Sequence, residues 1–393
     1  MIRIVFTADN HLNRYYAKMS RDQLRERRKR IRQAWRETVD FAIQSRAHFY
    51  LHAGDLFDGP DPNPGELAFV AREFQRMVEH GIQILAISGN HDMPRYMGES
   101  ASPIRIYQEL RAARAFTRRT EAEFDTFDID GTRIAIGGLA PDPRADPTAD
   151  PLEGVEINPP PADVRILLLH SGVEDAVPEA FAEAVIRKSR IAALKSIDYF
   201  LVGDIHQNHK LTVDHATVLI PGATERMNFG ELKQEPGFYY IELEGKRPVK
   251  LIRKGIGPQP MRRIEVRSTN LPSENPTDYI AEEIRAMSYK DQLLQLQLGG
   301  PIDRDVYHQL RFFDIWRLGN ELNFFFDLEK SGLELRTSEL ERAGLAPDER
   351  VDVERELVRV AAEMQAEAES EPQRERIADA GARVLQMYRR GKE

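Results

Sequence analysis

The chain has 393 residues, 41% of them apolar and 30% charged, and its 55 basic and 64 acidic side chains give a formal net charge of −9. This composition suits a folded core spread over two or three domains; it excludes global disorder and a general basic coat, so any anion site must be local. The absence of cysteine excludes disulfides, thiolate metal sites and cysteine nucleophiles. No apolar run approaches the ~18 residues of a membrane span. The opening Met1-Ile2-Arg3-Ile4 has no charged leader before an apolar segment, so a cytoplasmic protein is expected.

The first 110 residues alternate between two periods. Ile2 to Phe6 is a β-branched and aromatic run ending in polar Thr7 to Asn10, which predicts a strand. Ile31, Trp35, Val39 and Ala42 recur near every fourth position and predict a long helix. His48 to His52 predicts a second strand, stopped at Ala53-Gly54-Asp55. Leu67, Val70, Phe74 and Met77 stripe a helix over 64–79, and 82–87 predicts a third strand, stopped at Ser88-Gly89-Asn90. Strands and helices alternating over short connections give an α/β chain with a parallel sheet.

From about residue 115 the rhythm changes. Runs at 124–129 and 133–136 flank Asp130-Gly131, a hairpin signal. Residues 141–161, rich in Pro and Asp, read as exposed loop. Runs at 164–169, 199–202, 217–220 and 238–243 predict a second sheet. The Gly and Pro cluster at Gly255 to Pro258 marks a boundary, dividing the chain into 1–257, 258–337 and 338–393. The middle part carries strands at 264–266, 293–298 and 323–328 and helices at 280–287 and 306–318. In the last part, Val353, Leu357, Val360 and Met364, then Ile377, Ala380, Val384 and Met387, repeat at helical spacing and call for a partner surface.

Five strand ends carry metal-type ligands in a fixed order: Asp9 and His11, Asp55 with Asp58, Asn90 with His91 and Asp92, His170, and Asp204 with His206. In open α/β sheets ligands gather beyond the carboxyl ends of the strands, so these groups converge on one pocket. Carboxylate with imidazole suits Mn²⁺, Fe²⁺ or Zn²⁺, and a set this rich suits two ions. A lone Asp or His is more often a cap or a surface residue, but that reading fails when applied to five strand ends at once. His52, two positions before the Gly54-Asp55 pair, reads as a packed or supporting residue.

The order D-x-H, G-D, G-N-H-D, a lone His and G-x-x-H resembles the metallophosphoesterase superfamily. The segments 51–58 and 87–92, with Pro221 to Glu231 and Gly237-Phe238 beyond the last histidine, resemble its SbcD branch of DNA double-strand-break repair nucleases. The resemblance runs through residues 1–250 and more loosely to 335. It implies a four-layer αββα sandwich with a smaller α+β capping domain and a helical C-terminal tail. It implies a DNA exonuclease and endonuclease with two divalent ions, Mn²⁺ foremost. Asp9, His11 and His206 would then hold one ion, Asp55 would bridge, and Asn90, His170 and Asp204 would hold the other. His91 would assist the leaving group, and Asp58 is assigned the orientation of His91 through its ring N–H. An SbcC-type coiled-coil ATPase docked on the stripes after 338, a homodimer through 64–79 and 104–110, and a nucleoid-associated location complete the picture.

One position departs from that branch, whose last motif reads G-H-x-H where this chain has Gly203-Asp204-Ile205-His206. A carboxylate there adds negative charge and favours harder ions, with His209 the alternative donor. The dense basic run Arg25, Arg27, Arg28, Lys29, Arg30 and Arg32 reads in two ways. It is a solvated face paired with Asp22 and Glu26, or, through Arg27, Arg28 and Arg30, a contact with a DNA phosphate backbone.

Two other functions stand beside the nuclease. A phosphoesterase for a small phosphomonoester or a cyclic nucleotide gains from the acidic net charge and from Asp204, yet has no need of the segments after 258. A non-catalytic scaffold for DNA has no need of His91 beside Asp55.

Overall fold

The computed structural model describes residues 1–94, 102–142, 148–177, 184–336 and 371–390, with isolated positions 144, 146, 358, 360, 362 and 365. Two compact units divide the chain. One comprises Met1–Gly300 with Gln309–Gly332, the other Pro301–His308 with Leu333–Glu393.

The first unit is built on two six-stranded sheets. One contains β1 (Ile2–Thr7), β2 (Phe49–Ala53), β3 (Gln83–Ile87), β4 (Arg114–Phe116), β13 (Gly237–Glu244) and β14 (Arg247–Gly255). Strands β1 to β4 run parallel, and β13 and β14 add antiparallel on the β1 side. The other contains β5 (Glu123–Ile129), β6 (Thr132–Gly138), β7 (Val164–His170), β10 (Tyr199–Gly203), β11 (His209–Val213) and β12 (Ala216–Ile220). Here β6, β7, β10 and β12 are parallel, and β5 and β11 close the edges as antiparallel hairpin partners. A short parallel pair, β8 (Gly172–Val173) and β9 (Val185–Ile186), lies between β7 and β10 in the chain.

Strand alternation builds three cores. Ile4, Phe6, Leu51, Leu85 and Ile87 of the first sheet meet Ile134, Ile136, Ile166, Leu168 and Leu201 of the second. On the outer face of the first sheet, Val5, Tyr50 and Ile84 pack beneath α1 (Arg21–Gln44), α2 (Pro64–Glu79) and α3 (Arg105–Glu109). Leu167, Leu169, Phe200 and Val202 pack beneath α4 (Lys188–Ala193) on the far side. Side chains that alternate between two buried faces give near-continuous apolar strands. The result is the expected four-layer αββα sandwich.

Helix α1 starts at Ser20, whose hydroxyl accepts from Gln23 N while its own N–H donates to Gln23 Oε1, a capping box. Its buried stripe centres on Trp35, edge-on to Phe69 of α2 at 5.5 Å. On the helix that the resemblance offered as a dimer face, Val70, Phe74 and Met77 of the expected stripe lie in this core and Leu67 packs against it, whereas Ile106 and Leu110 of the other offered segment stay exposed.

A three-stranded sheet follows: β15 (Met261–Arg267), β16 (Leu293–Ile302) and β17 (Phe325–Leu335), with α5 (Pro276–Met287), α6 (Arg304–Gln309) and α7 (Phe312–Leu322). Its part within the first unit is tied to α1 and the loop before it. Lys18 pairs with Asp327 at 2.6 Å, Arg30 with Asp291 at 2.5 Å, and Gln23 Nε2 donates to Phe324 O at 2.7 Å. The helix expected over 306–318 is broken, because Thr277 Oγ1 captures the N–H of Arg311 at 3.0 Å and Arg311 leaves the helical region.

In the second unit, Arg336 N donates to Ile302 O at 2.8 Å and its guanidinium pairs with Asp303. A helix, α8 (Glu371–Arg390), carries an Arg383–Asp379 pair and an exposed Val384. Of the expected stripe at 353–364, Val360 is exposed and Val353, Leu357 and Met364 lie outside the described residues. No described helix is long and apolar enough to cross a membrane.

Candidate metal centre

The carboxyl ends of β1, β2 and β3 in one sheet and of β7 and β10 in the other deliver the predicted ligands. Each chain turns sharply on leaving its strand. Asp9, His11, Asp55 and Asp204 have φ of 53°, 47°, 55° and 93°, a left-handed region that costs about 1–3 kcal/mol per non-glycine residue. Backbone bonds between the loops offset that cost. Asp9 N donates to Gly54 O, and Asn10 N and His11 N both donate to Asp55 O, at 2.9–3.1 Å. Glycine is required at several points, two of them in the loops after β2 and β3. Gly54 has φ 90° and a Cβ on it would meet His170, while a Cβ on Gly89 would run into the Asp55 carboxylate.

The ligand atoms gather in overlapping groups. Asp9, His11 and His206 offer atoms within 4.8 Å of one another, and so do Asp9, Asp55 and His170. Asp55 Oδ2 lies 3.7 Å from His11 Nε2 and 3.5 Å from His170 Nε2, placing one oxygen between the two imidazoles. His170 Nε2 is 3.6 Å from Asp204 Oδ1, and Asn90 Nδ2 donates to that oxygen at 3.3 Å. All seven candidates therefore share one pocket, buried except at its mouth. His209, the alternative donor, lies on β11 and belongs to none of these groups.

The donor set fits divalent cations. His11 Nε2 and His206 Nε2 face each other at 3.0 Å, an arrangement that admits at most one hydrogen between them and suits two lone pairs aimed at one ion. His170 donates from Nδ1 to Ala53 O at 2.7 Å, and its Nε2 is buried without a hydrogen bond among the described residues. Carboxylates outnumber cationic groups in the cluster. Burial pushes His170 down, but Asp55, Asp204 and Asp9 outweigh it and hold the ring well above the ordinary imidazole range. For His206 burial is likewise overcome by Glu231 and Asp9, which lift it to about 9. Burial wins at Asp9, whose carboxyl is raised. A bound cation would relieve this surplus of negative charge.

His91 sits at the rim with its side chain 47% exposed, its N–H donated to Asp55 Oδ1 at 2.9 Å and its ring edge-on to His11 at 4.8 Å. Asp58 departs from its assigned partner. Its Oδ1 is 2.7 Å from Arg14 Nη1 and 3.2 Å from His11 Nδ1, but 4.0 Å from His91 Nδ1, beyond hydrogen-bond reach. Burial raises the Asp58 carboxyl, yet His11 and Arg14 prevail and hold it below the usual range.

The basic run divides. Arg27 is fully buried, paired with Glu225 at 3.1 Å and donating to Gln259 Oε1 and Arg226 O, so its assignment to DNA is corrected: it has no surface to offer. Arg30 is half-buried between Glu26 and Asp291. Arg28 donates to Arg14 O and Asn13 O, both at 2.8 Å.

Several residues support the ligands; sequence reasoning gave Glu231 and Asp92 no specific part, and read His52 as a packed or supporting residue. Glu231 accepts from His206 Nδ1 at 2.9 Å. Asp92 accepts from Gly89 N, Leu56 N and Phe57 N and joins the loops after β2 and β3; burial and Asp55 push its carboxyl up. His52 accepts from Gly54 N at Nδ1, so its Nε2–H donates to Asn10 Oδ1, and Asn10 in turn donates to Thr224. Glu231 and Asp92 both fell inside motif segments, which was the available signal.

Two sheets that aim carboxylates and imidazoles from five strand ends at one buried pocket define a metal-dependent phosphoesterase. A model of the calcineurin-like phosphoesterase family matches residues 2–208, more than half of the chain, and the chain belongs to that family. Among curated proteins it is similar to a DNA double-strand break repair protein Mre11 of Saccharolobus solfataricus, with 26% identity over 79% of this chain and 78% of that one. Another Mre11, of Methanocaldococcus jannaschii, is 25% identical over 61% of this chain, and the match spans only 62% of the relative's length. The uncharacterized metallophosphoesterase YhaO of Bacillus subtilis is 29% identical over 53% of this chain and 48% of its own. The resemblance to the SbcD and Mre11 branch thus extends to curated proteins named for break repair.

Proposed function

We propose that the chain is a DNA nuclease that hydrolyses phosphodiester bonds at DNA ends in double-strand-break repair. The observation that carries this reading is the single oxygen of Asp55 held between His11 and His170, with Asp9 and His206 on one side and Asn90 and Asp204 on the other. Asp9, His11 and His206 would hold one ion, Asn90, His170 and Asp204 the other, and Asp55 both. Two divalent ions, Mn²⁺ in our reading, supply an activated water at neutral pH and neutralise phosphate oxygens.

The chain's own groups do the rest. Burial of the ligand cluster excludes bulk water and sharpens every charge in it. Glu231 and Ala53 O fix the ring orientations of His206 and His170. The N–H bond from His91 to Asp55 fixes that residue at the pocket rim, where its ring delivers a proton to the leaving oxygen as the P–O bond breaks. Asp58, between Arg14 and His11, positions the edge of the site that His91 shares.

Residues 258–337 serve in this proposal as a capping domain beside the DNA path, and 338–393 as the docking region of an SbcC-type ATPase. A homodimer through the exposed Ile106 and Leu110 and action at the nucleoid in the cytoplasm belong to the same reading. The test offers linear duplex DNA and bis-p-nitrophenyl phosphate with Mn²⁺, using His91→Ala as control. Cleavage of both substrates, lost in the variant, is expected. Turnover of the small ester alone would transfer the site to a small phosphoester, and silence on both would leave a scaffold.

A further inference from the structure

Helix α1 carries two sets of arginines with different fates. Arg27 and Arg30 lie on other faces of the helix and are held by Glu225, Glu26 and Asp291. Arg21, Arg25, Arg28 and Arg32 follow at intervals of four, three and four, which at about 100° per residue confines them to a stripe ~60° wide. Together with Leu24, Asn63 and Glu66 they line a concavity of about 230 Å³ between α1 and the start of α2. Arg21 has no ion-pair partner among the described residues, and Arg25 pairs only with Asp22, both side chains at least 80% exposed. Exposed pairs of this kind contribute little and exchange readily for another anion. Arg32 meets Glu66, the sole carboxylate lining the concavity.

The stripe is joined to the metal centre by one short loop. Arg28 donates to the carbonyls of Asn13 and Arg14, and Asn63, the N-cap of α2, donates to Asn13 Oδ1. Two residues earlier in that loop stands His11, and Arg14 itself reaches Asp58 beside the ligands. Positive charge therefore continues from Arg14 at the mouth of the site through Arg28 to Arg21, Arg25 and Arg32. Along α1 the stripe covers about 16 Å at 1.5 Å per residue, which equals the rise of about five base pairs.

We infer that Arg21, Arg25, Arg28 and Arg32, with Asn63, form a track for the phosphates of the DNA backbone, leading duplex toward the metal centre. This rests on the nuclease reading and replaces Arg27 and Arg30 as its phosphate contacts. Guanidinium groups along a helix take phosphate oxygens without reading bases, so the track orients DNA and is indifferent to sequence. It also reconciles a net charge of −9 with a polyanionic substrate, because the attraction is confined to one stripe.

The test measures binding of a fluorescent 30-base-pair duplex by anisotropy across a salt series, in Ca²⁺ to suppress cleavage. It compares the full chain with an Arg21→Ala, Arg25→Ala variant and with a charge-matched Lys29→Ala, Lys246→Ala control, whose lysines lie off the stripe. Far-UV circular dichroism confirms the fold of each. The stripe variant is expected to bind at least fivefold more weakly and to flatten the slope of log K against log salt by about 1.8, at 0.9 per lost phosphate contact. The control should change the slope by less than a third of that. Equal slopes in the stripe variant and wild type overturn the track while leaving the nuclease intact, as does an equal loss in the control, which would mean net charge alone. A wild-type chain that binds no duplex at low salt overturns the nuclease reading and the track with it.

Discussion

Glu231 Oε1 stands 2.9 Å from His206 Nδ1, so a carboxylate from the short 3₁₀ turn at Phe229–Glu231 fixes the ring that faces His11. The same carboxylate also accepts from Asn228 Nδ2 at 2.7 Å and Met227 N at 2.6 Å, which leaves it little freedom. A carboxylate behind a ligating histidine sets the tautomer and raises its basicity, and losing it costs about 10–100-fold in metal affinity. Glu231→Ala should weaken Mn²⁺ binding by that factor in a calorimetric titration, and Glu231→Gln, which keeps an acceptor, by less. Equal affinity in all three proteins would show that the pair only packs the loop.

Arg27 and Glu225 make a buried ion pair. Both side chains are essentially inaccessible, and Glu225 Oε2 also accepts from Gln259 N at 3.0 Å. Removing one partner of such a pair leaves an uncompensated buried charge and costs about 3–5 kcal/mol. Arg27→Ala should lower the unfolding free energy by that amount in urea, whereas Arg25→Ala, on the solvent side of the same helix, should change it by less than about 0.5 kcal/mol. An Arg27→Ala protein as stable as wild type would return Arg27 to the surface.

These two residues mark where sequence stops being legible. The ligands announced themselves because each follows a β-rich run at a Gly- or Asp-containing stop, and a parallel sheet can send such stops to only one edge. The four layers came from the family resemblance, and the structure shows how they are built, with Val5 and Tyr50 facing outward and Ile4, Phe6 and Leu51 inward. Arg27 looked like its neighbours because its partner lies 198 positions away, and nothing local separates an arginine that meets Glu225 from one that meets solvent. The break between α6 and α7 escaped for the same reason, since Thr277 is the residue that takes the Arg311 N–H.

Asp204 occupies the position where the SbcD branch has histidine, and its side chain joins the His170 end of the cluster. Its backbone N–H donates to both oxygens of Asp9, at 3.0 and 3.2 Å, a link that any residue at 204 retains. Replacement should therefore spare the strand-end geometry and act on the side chain alone. Asp204→Ala is expected to lower Mn²⁺ stoichiometry, measured by elemental analysis after dialysis, from about two ions to about one per chain. Asp204→His should keep both ions and move preference from Mg²⁺ toward Zn²⁺, since imidazole replaces a hard oxygen donor. Full occupancy in the alanine variant would remove Asp204 from the ligand set.

Asp58 stands against Arg14 and His11 rather than against His91. Its Oδ1 is shared by Arg14 and His11, with His91 a further step away at 4.0 Å, so the carboxylate acts first on a ligand and only then on the rim. Asp58→Asn keeps an oxygen for Arg14 and for His11 Nδ1–H but removes the charge that holds both. Turnover on bis-p-nitrophenyl phosphate should fall about 10–100-fold, which corresponds to about 1.4–2.7 kcal/mol of lost transition-state stabilisation. Mn²⁺ affinity should weaken by less than in Glu231→Ala, because asparagine keeps an acceptor for His11, and Asp58→Glu should recover part of the rate. A variant that loses metal together with activity would assign Asp58 to holding His11 in place, and His91 would then act without its help.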